Sequence, residues 1–278
     1  MARLRRQWLS LAMVMATLPA FAADQPSSSP AELVRRVVAN ELKTPSPPVY
    51  YRYRLKVESP RGVREAERVE TPEISVGRTV LLDGKAPTAE QAAQWERSAQ
   101  QLLQDAKLRE QRREQQKAEQ ERINKLMAAI PDAFVFEPEG AEANGLVRLK
   151  GAPNPKFDPP SRETQPFRGM DCVLWIEPRS ERLARFEGTL FKDVDFGWGL
   201  FGRLYRGGHV LMENSPQPDG SWVTTSLSLQ LTGRILLFKK LEVDQKQTVS
   251  DIRPVRPMTL AEAVELLRKL PNSPAGAK

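Results

Sequence analysis

Between Val49 and Val57 the chain reads VYYRYRLKV, and its side chains alternate one by one. Val49, Tyr51, Tyr53, Leu55 and Val57 fall on one side, and Tyr50, Arg52, Arg54 and Lys56 on the other. A period of two belongs to an extended strand, and this composition predicts one apolar and one wet face. Ser59-Pro60-Arg61-Gly62 is a turn. Val63 to Glu70, polar on both sides, is expected to be an exposed strand. Glu73 to Leu82, closed by Asp83-Gly84, completes an antiparallel meander. Strand patterns return after Pro131, at Ala133 to Glu137, Gly145 to Lys150, Met170 to Glu177, Arg182 to Phe191, Arg203 to Asn214, Ser221 to Thr232 and Arg234 to Val249. Asp219-Gly220 is a hairpin signal, and Gly233 is expected to make the next turn. About ten strands in one sheet must curl or close.

Three helical stretches interrupt this pattern. Ser29-Pro30 followed by Glu32 reads as an N-cap, a proline at the first helical position and an acid in the first turn. The helix runs to about Leu42, with Leu33, Val34, Val37, Val38 and Leu42 on one face, before Pro45, Pro47 and Pro48. Thr88 to Ile130 contains no Gly or Pro and starts with a Thr88/Gln91 capping box. Its apolar residues gather at both ends, and Arg109 to Arg122 is a solvated charge run. It forms either one helix roughly 60 Å long or two helices meeting near Gln104 to Lys107. Met258 to Leu270 is a short amphipathic helix. Gly151 to Phe167 is too rich in proline for regular structure and reads as a long loop, either lid-like or a passive crossover. The fold class is therefore α+β, a curled antiparallel sheet with N- and C-terminal helices and a long helical insertion.

The N-terminus adds a location. Arg3, Arg5 and Arg6 precede an uncharged stretch, Trp8 to Leu18, and Ala20-Phe21-Ala22 has the small-x-small spacing of a signal-peptidase site. Residues 1–22 read as a cleaved secretory signal; the apolar run is short of the roughly 20 residues of a membrane span. Arg5-Arg6 hints at twin-arginine export, but its flanks fit general secretion better. No cysteine follows to take a lipid anchor. Residues 23–270 are expected to form one domain with the insertion at 88–130, and 271–278 a disordered tail. The 42 basic residues lose three with the signal, leaving 39 against 35 acids, a net +4. So mixed a charge argues against nucleic-acid binding.

Catalytic chemistry finds little support. One Cys172 and one His209 cannot build a Cys/His metal site, and no G-x-S-x-G elbow accompanies His209. Glu187, Asp193 and Asp195 are close in sequence, but glycoside hydrolysis needs two carboxyls facing each other across a cleft. Cys172 reads as a small core residue and His209 as a structural one. No enzyme activity and no cofactor are expected.

Val173-Leu174-Trp175-Ile176-Glu177-Pro178-Arg179-Ser180, returning through Arg182-Leu183-Ala184-Arg185-Phe186-Glu187, is a strand, an acid-proline turn and a returning basic strand. With the helix-to-strand lead at Ala31 to Val57 and the C-terminal run of strands, it resembles the periplasmic lipoprotein-sorting superfamily. That superfamily includes the LolA and LolB carriers and the RseB-type regulators. The resemblance covers Ala31 to Val249 apart from the insertion, and rests on turn chemistry and alternation. It implies a half-open β-barrel that cups helices and, in some members, lipoprotein acyl chains. The insertion and the proline loop depart from the carriers, and with them the carriers' partner contacts.

The site expectation combines both readings. Leu227, Leu229 and Leu231 alternate with hydroxyl and amide residues. Trp175 and Leu183 lie on the resembling hairpin. In Lys192 to Gly208, Phe196, Trp198 and Phe201 interleave with glycines, either as a lipid-contacting rim or as a strand corner with core aromatics. These eight residues are the candidate lining for an apolar ligand, expected to be lipid or lipoprotein acyl chains, in a periplasmic, non-catalytic protein of the cell envelope. The alternative is an envelope-stress sensor or scaffold that binds another protein through 88–130. An unfilled apolar groove favours the first; an oily face filled by the protein's own helices favours the second.

Overall fold

The computed structural model describes residues 29–43, 48–196, 202–235 and 239–271. The expected signal segment 1–22, residues 272–278 of the expected tail, and Pro45, Pro47, Trp198 and Phe201 lie outside them. Among the described residues there are four α-helices: α1 (Pro30–Glu41), α2 (Ala89–Gln104), α3 (Ala106–Ala133) and α4 (Leu260–Lys269). The strands are β1 (Tyr50–Ser59), β2 (Gly62–Val69), β3 (Val76–Leu82), β4 (Phe134–Ala141), β5 (Val147–Pro153), β6 (Met170–Glu177), β7 (Arg182–Leu190), β8 (Val194–Phe196), β9 (Gly202–Leu204), β10 (His209–Pro216), β11 (Trp222–Ile235) and β12 (Lys239–Val255). All pair antiparallel in one sheet ordered β3-β2-β1-β12-β11-β10-β7-β6-β5-β4, with β8 and β9 attached beside the far end of β11.

The sheet is open, with β3 and β4 as unjoined edges, and it is curled. Nine inter-strand steps separate those edges, roughly 43 Å at about 4.8 Å each. Yet Ser75, leading into β3, donates to Gln116 Oε1 at 2.9 Å and accepts from Gln116 Nε2 at 3.0 Å, and α3 runs straight into β4 at Phe134. A helix from Gln116 to Phe134 is only about 27 Å long. α3 is a chord, and the sheet is the arc it subtends.

The helical insertion is two helices, broken at Asp105. Its backbone is extended there (φ −99°, ψ 101°) while its side chain caps α3 by accepting from Leu108 N–H at 3.0 Å. Arg109 secures the break by donating to the carbonyls of Leu102 and Leu103 and pairing with Glu73 at 3.1 Å. α3 also runs past Pro131, where the sequence pattern ends the helix at Ile130. Pro131 has no N–H to give the Met127 carbonyl, so the helix forgoes that one bond in its last turn, and Pro131 is buried in the core beside Ile130. α1 begins at the Ser29 cap with a complete capping box, and Arg182 clamps its C-terminal Glu41 with two bonds of 2.9 Å.

Two helical layers cover opposite faces at opposite ends. Val34, Val37 and Val38 of α1 and Ala129, Ile130 and Ala133 of α3 pack on β4–β7, burying Leu149, Leu174, Ile176 and Leu183. The expected loop Gly151 to Phe167 is regular at both ends, Gly151 to Pro153 closing β5 and Gln165 to Phe167 opening a short 3-10 turn, and it sets Phe157 and Phe167 into the core, so it is anchored rather than loose. At the other edge α4 sets Leu260, Ala263 and Leu267 against Val69 and Val76, with α2 alongside. Register puts Val69 opposite Arg52 and Val76, on the face away from Leu55.

This second layer overturns two expectations. β2 is not exposed, since Glu67 is 2% and Val69 0% accessible. The arginine face of β1 is not wet throughout, since Arg54 is buried and pairs with Glu67 at 2.8 Å and Glu65 at 3.6 Å, while Arg52 reaches Glu67 at 3.2 Å. Charge went inside because opposite charges sit directly across from each other in register. Gly233 is likewise not a turn. It lies within β11, where an added Cβ would run into the Arg203 carbonyl, so glycine is what lets β9 close on β11. The expected Arg203–Asn214 strand splits into β9 and β10 around Gly207, whose φ is +87°.

Candidate apolar binding site

In an antiparallel sheet, residues directly opposite each other share a face. Register therefore carries the inner face, the one bearing α1 and the end of α3, across the whole molecule. Phe186 opposes Met212, Met212 opposes Leu227, and Leu227 opposes Gln247; Gln247 opposes Val57, and Val57 opposes Arg64. The adjacent row takes Val210, Leu229 and Gln245, and the next Leu231 and Val243.

Burial changes along these rows. Leu174, Ile176 and Leu183 are at most 1% accessible beneath the helices. Leu227, Leu229, Leu231, Leu241 and Val243 are only half-buried. Among the described residues no helix packs on β10, β11 or β12 beyond a glancing contact. On β12 the inward residues from Leu241 to Gln247 are half-buried, while Glu242, Asp244 and Lys246 are exposed on the outer face. The result is a shallow trough floored by aliphatic side chains, continuous at one end with the packed core. Two clefts, of about 760 and 590 Å³, lie elsewhere, at the α2–α3 break and between α3 and the proline loop. Amide and charged side chains predominate in the first and contribute Lys125, Asp132, Lys156 and Asp158 to the second.

The structure divides the expected lining residues. Leu227, Leu229 and Leu231 stand together on the trough floor. Phe196 is half-buried at the margin of the core. Trp198 and Phe201 lie outside the described residues, in a segment that leaves β8 and re-enters at β9. Leu183 is inside the closed core under α1. Trp175 is on the outer face, its ring between Arg148 at 5.2 Å and Arg185 at 4.6 Å and its indole N–H donating to Glu142. Trp175 and Leu183 are thus not neighbours of the trough leucines. Sequence reading passed over Val210 and Met212 on β10 and Leu241 and Val243 on β12. The period-two alternation of β12 was the available signal, obscured by a strand about three times the usual length.

The titratable groups near the trough form ion pairs on the outer face and on β8–β9. Glu187 bonds Arg185 at 2.8 Å and His209 Nε2 at 3.3 Å. Burial alone would raise its carboxyl, but those two bonds outweigh it and hold the group below its ordinary value. Asp195 takes two bonds from Arg203, and Asp193 accepts the Arg206 N–H. Each of these acids is committed to a basic or backbone donor instead of facing another across a cleft. Cys172 is buried, and burial pushes its thiol far up, away from nucleophilic character. Among the described residues no cluster of three His, Cys, Asp or Glu side chains is placed to hold a metal. None of the described helices is long and apolar enough to cross a membrane.

The chain is similar to solved structures of low sequence identity. One match is a putative outer membrane lipoprotein-sorting protein domain from Vibrio parahaemolyticus, 9% identical, covering 86% of this chain and 98% of that one with a TM-score of 0.29. Another is a DUF1329 family protein from Desulfovibrio piger, 12% identical, covering 83% and 94%, also at 0.29. No protein-family model matches the chain, and no curated protein matches it by sequence. At such TM-scores the likeness carries no argument about ligand or role; the trough stands on register and burial.

Proposed function

We propose that the mature chain, from about Ala23, is a non-catalytic periplasmic protein whose trough holds an apolar ligand, lipid or lipoprotein acyl chains. One observation carries this reading: the inward rows through Leu227, Leu229 and Leu231 continue a packed core into a stretch on which, among the described residues, no helix packs beyond a glancing contact. Burying a methylene is worth about 0.8 kcal/mol, so a chain laid along the trough gains what α1 supplies to the closed half. The basic, apolar, A-x-A start at residues 1–22 supports export. Residues 23–270 are proposed to act as one unit with 88–130 as its insertion. In this reading α2 and α3 hold the curl, while their exposed charged surface is free for an envelope partner.

The test is native mass spectrometry of the mature protein purified from a periplasm, with lipid extraction alongside. A lipid or acylated peptide co-purifying at a fixed ratio is expected, and Leu229→Asn is expected to reduce it. A clean apo mass with no extractable lipid overturns the reading and turns attention to the α2–α3 surface as a protein-binding arm.

A further inference from the structure

The row that runs along the trough reaches a charge on β2. From Phe186 through Met212 and Leu227 it is aliphatic or aromatic, then Gln247 and Val57 follow, then Arg64 on β2, before Leu82 on the edge strand β3. Two rows further along β2, Arg68 occupies the same face opposite Tyr53. Neither arginine forms an ion pair among the described residues, and the Arg68 Nε is buried without a hydrogen-bond partner. The Arg68 charge acts on the carboxyl of Glu70, just past β2, but that carboxylate accepts the Tyr51 N–H at 3.0 Å.

The rest of the charge on these strands is sorted the other way. Glu58, Glu65 and Glu67 share the outer face with Arg54 and Lys56, and Glu242 and Asp244 share it with Lys246. The inward positions of β1, β2, β11 and β12 within the paired rows carry no acid at all; their charges are Arg64, Arg68 and, at the far end of β12 opposite Ile235, Lys239. From β10 to β2 the Leu227 row is thus apolar at one end, amide in the middle and cationic at the other.

We propose that the trough's occupant is an anionic diacyl phospholipid, its chains on the Leu227 and Leu229 rows and its phosphate at Arg64. This rests on the trough being an apolar site and adds the chemistry of the head. Size agrees. From β10 to β2 is four inter-strand steps, roughly 19 Å, and one leaflet of a bilayer's hydrocarbon core is about 15 Å. Two neighbouring rows offer room for two chains side by side. Guanidinium is suited to the head, because its planar fork donates two parallel bonds to a phosphate.

The test compares ligands that differ only in the phosphate. Didecanoyl phosphatidate and didecanoylglycerol are titrated into the mature protein below their aggregation limits, with decanoate as a single-chain anion. Phosphatidate is expected to bind about tenfold more tightly than the diacylglycerol, as one charge-assisted contact implies. Arg64→Gln is expected to collapse that ratio toward one and leave diacylglycerol affinity unchanged, which also certifies that the variant is folded. Equal affinities in the unaltered protein overturn the headgroup assignment while the apolar trough stands. Decanoate binding as tightly as phosphatidate overturns the diacyl assignment in favour of a fatty acid. No binding of any of the three overturns the trough itself.

Discussion

The β4–β7 half of the sheet and the β10–β12 half present the same kind of inward face, yet they end in different states. In the first, α1, the end of α3 and Phe157 complete the packing, and Leu174 and Ile176 lose all but 1% or less of their accessible surface. In the second, Leu227, Leu229 and Leu231 alternate as regularly and remain half-buried. Strand sequence sets which side chains point inward; the helix laid over them decides whether that surface is spent on folding or left for something else. The β2–β3 edge makes the same point for charge, since Glu67 sits under α4 and α2 at 2% accessibility while Glu213, on the uncovered β10, pairs loosely with Arg185 at 3.9 Å.

Mutation can break or sharpen this contrast. Glu67→Ala leaves Arg54 buried without its 2.8 Å partner and is expected to cost about 3–5 kcal/mol. Glu213→Ala is expected to stay within about 0.5 kcal/mol. Urea midpoints at constant slope read both, and equal effects would mean that helix cover does not decide the outcome. Leu183→Ala opens a cavity in the closed half and is expected to cost about 2–5 kcal/mol. Leu229→Ala removes half-buried surface and is expected to cost about 1 kcal/mol or less. The ranking reverses for function, because Leu229→Ala should weaken acyl binding and Leu183→Ala should not, once assayed below its own unfolding transition. A Leu229 variant as unstable as the Leu183 one would show the trough to be filled by the protein itself.

What the sequence disclosed follows from the range of the interactions involved. The Ser29 and Thr88 caps and the strand alternation of β1 depend on neighbours a few residues away and were legible, while the break between α2 and α3 was legible only as one of two alternatives. The α+β class followed from the order of elements and a curled or closed sheet from counting strands, while its openness was implied only by the resemblance. The β1–β2 ion pairs were not legible, because Glu67 reads as solvated until register sets it against Arg54. Trp175 and Leu183 were misassociated with the trough for a related reason. They sit on one hairpin, but a register shift at Trp175/Ile176 and strand parity place the tryptophan outside and the leucine under α1. Gly233 has the local chemistry of a turn, and only the distant β9 gives it another use.

The smallest expected effect tests the cover itself through pH. Glu262, three residues into α4's capping box, accepts the Thr259 N–H at 2.7 Å and hydroxyl at 2.9 Å and pairs with Arg256 at 2.8 Å. The backbone bond foremost, then the other two, hold its carboxyl down at about 2, against about 4.3 for an unfolded glutamate. A depressed carboxyl stabilises the fold above its unfolded value and loses that contribution as pH falls through the folded one. The native chain should therefore lose this capping contribution to α4 between about pH 5 and 2, and Glu262→Gln should flatten that part of its melting-temperature profile, the two curves converging near the bottom of the window. Because α4 covers the outer face at the β2–β3 edge, the variant should loosen the Val69–Val76 cluster in hydrogen exchange without changing acyl affinity at Leu227 and Leu229. A variant that altered binding as much as exchange would show that the covered edge and the open trough are mechanically one, and that the contrast between them is only one of surface.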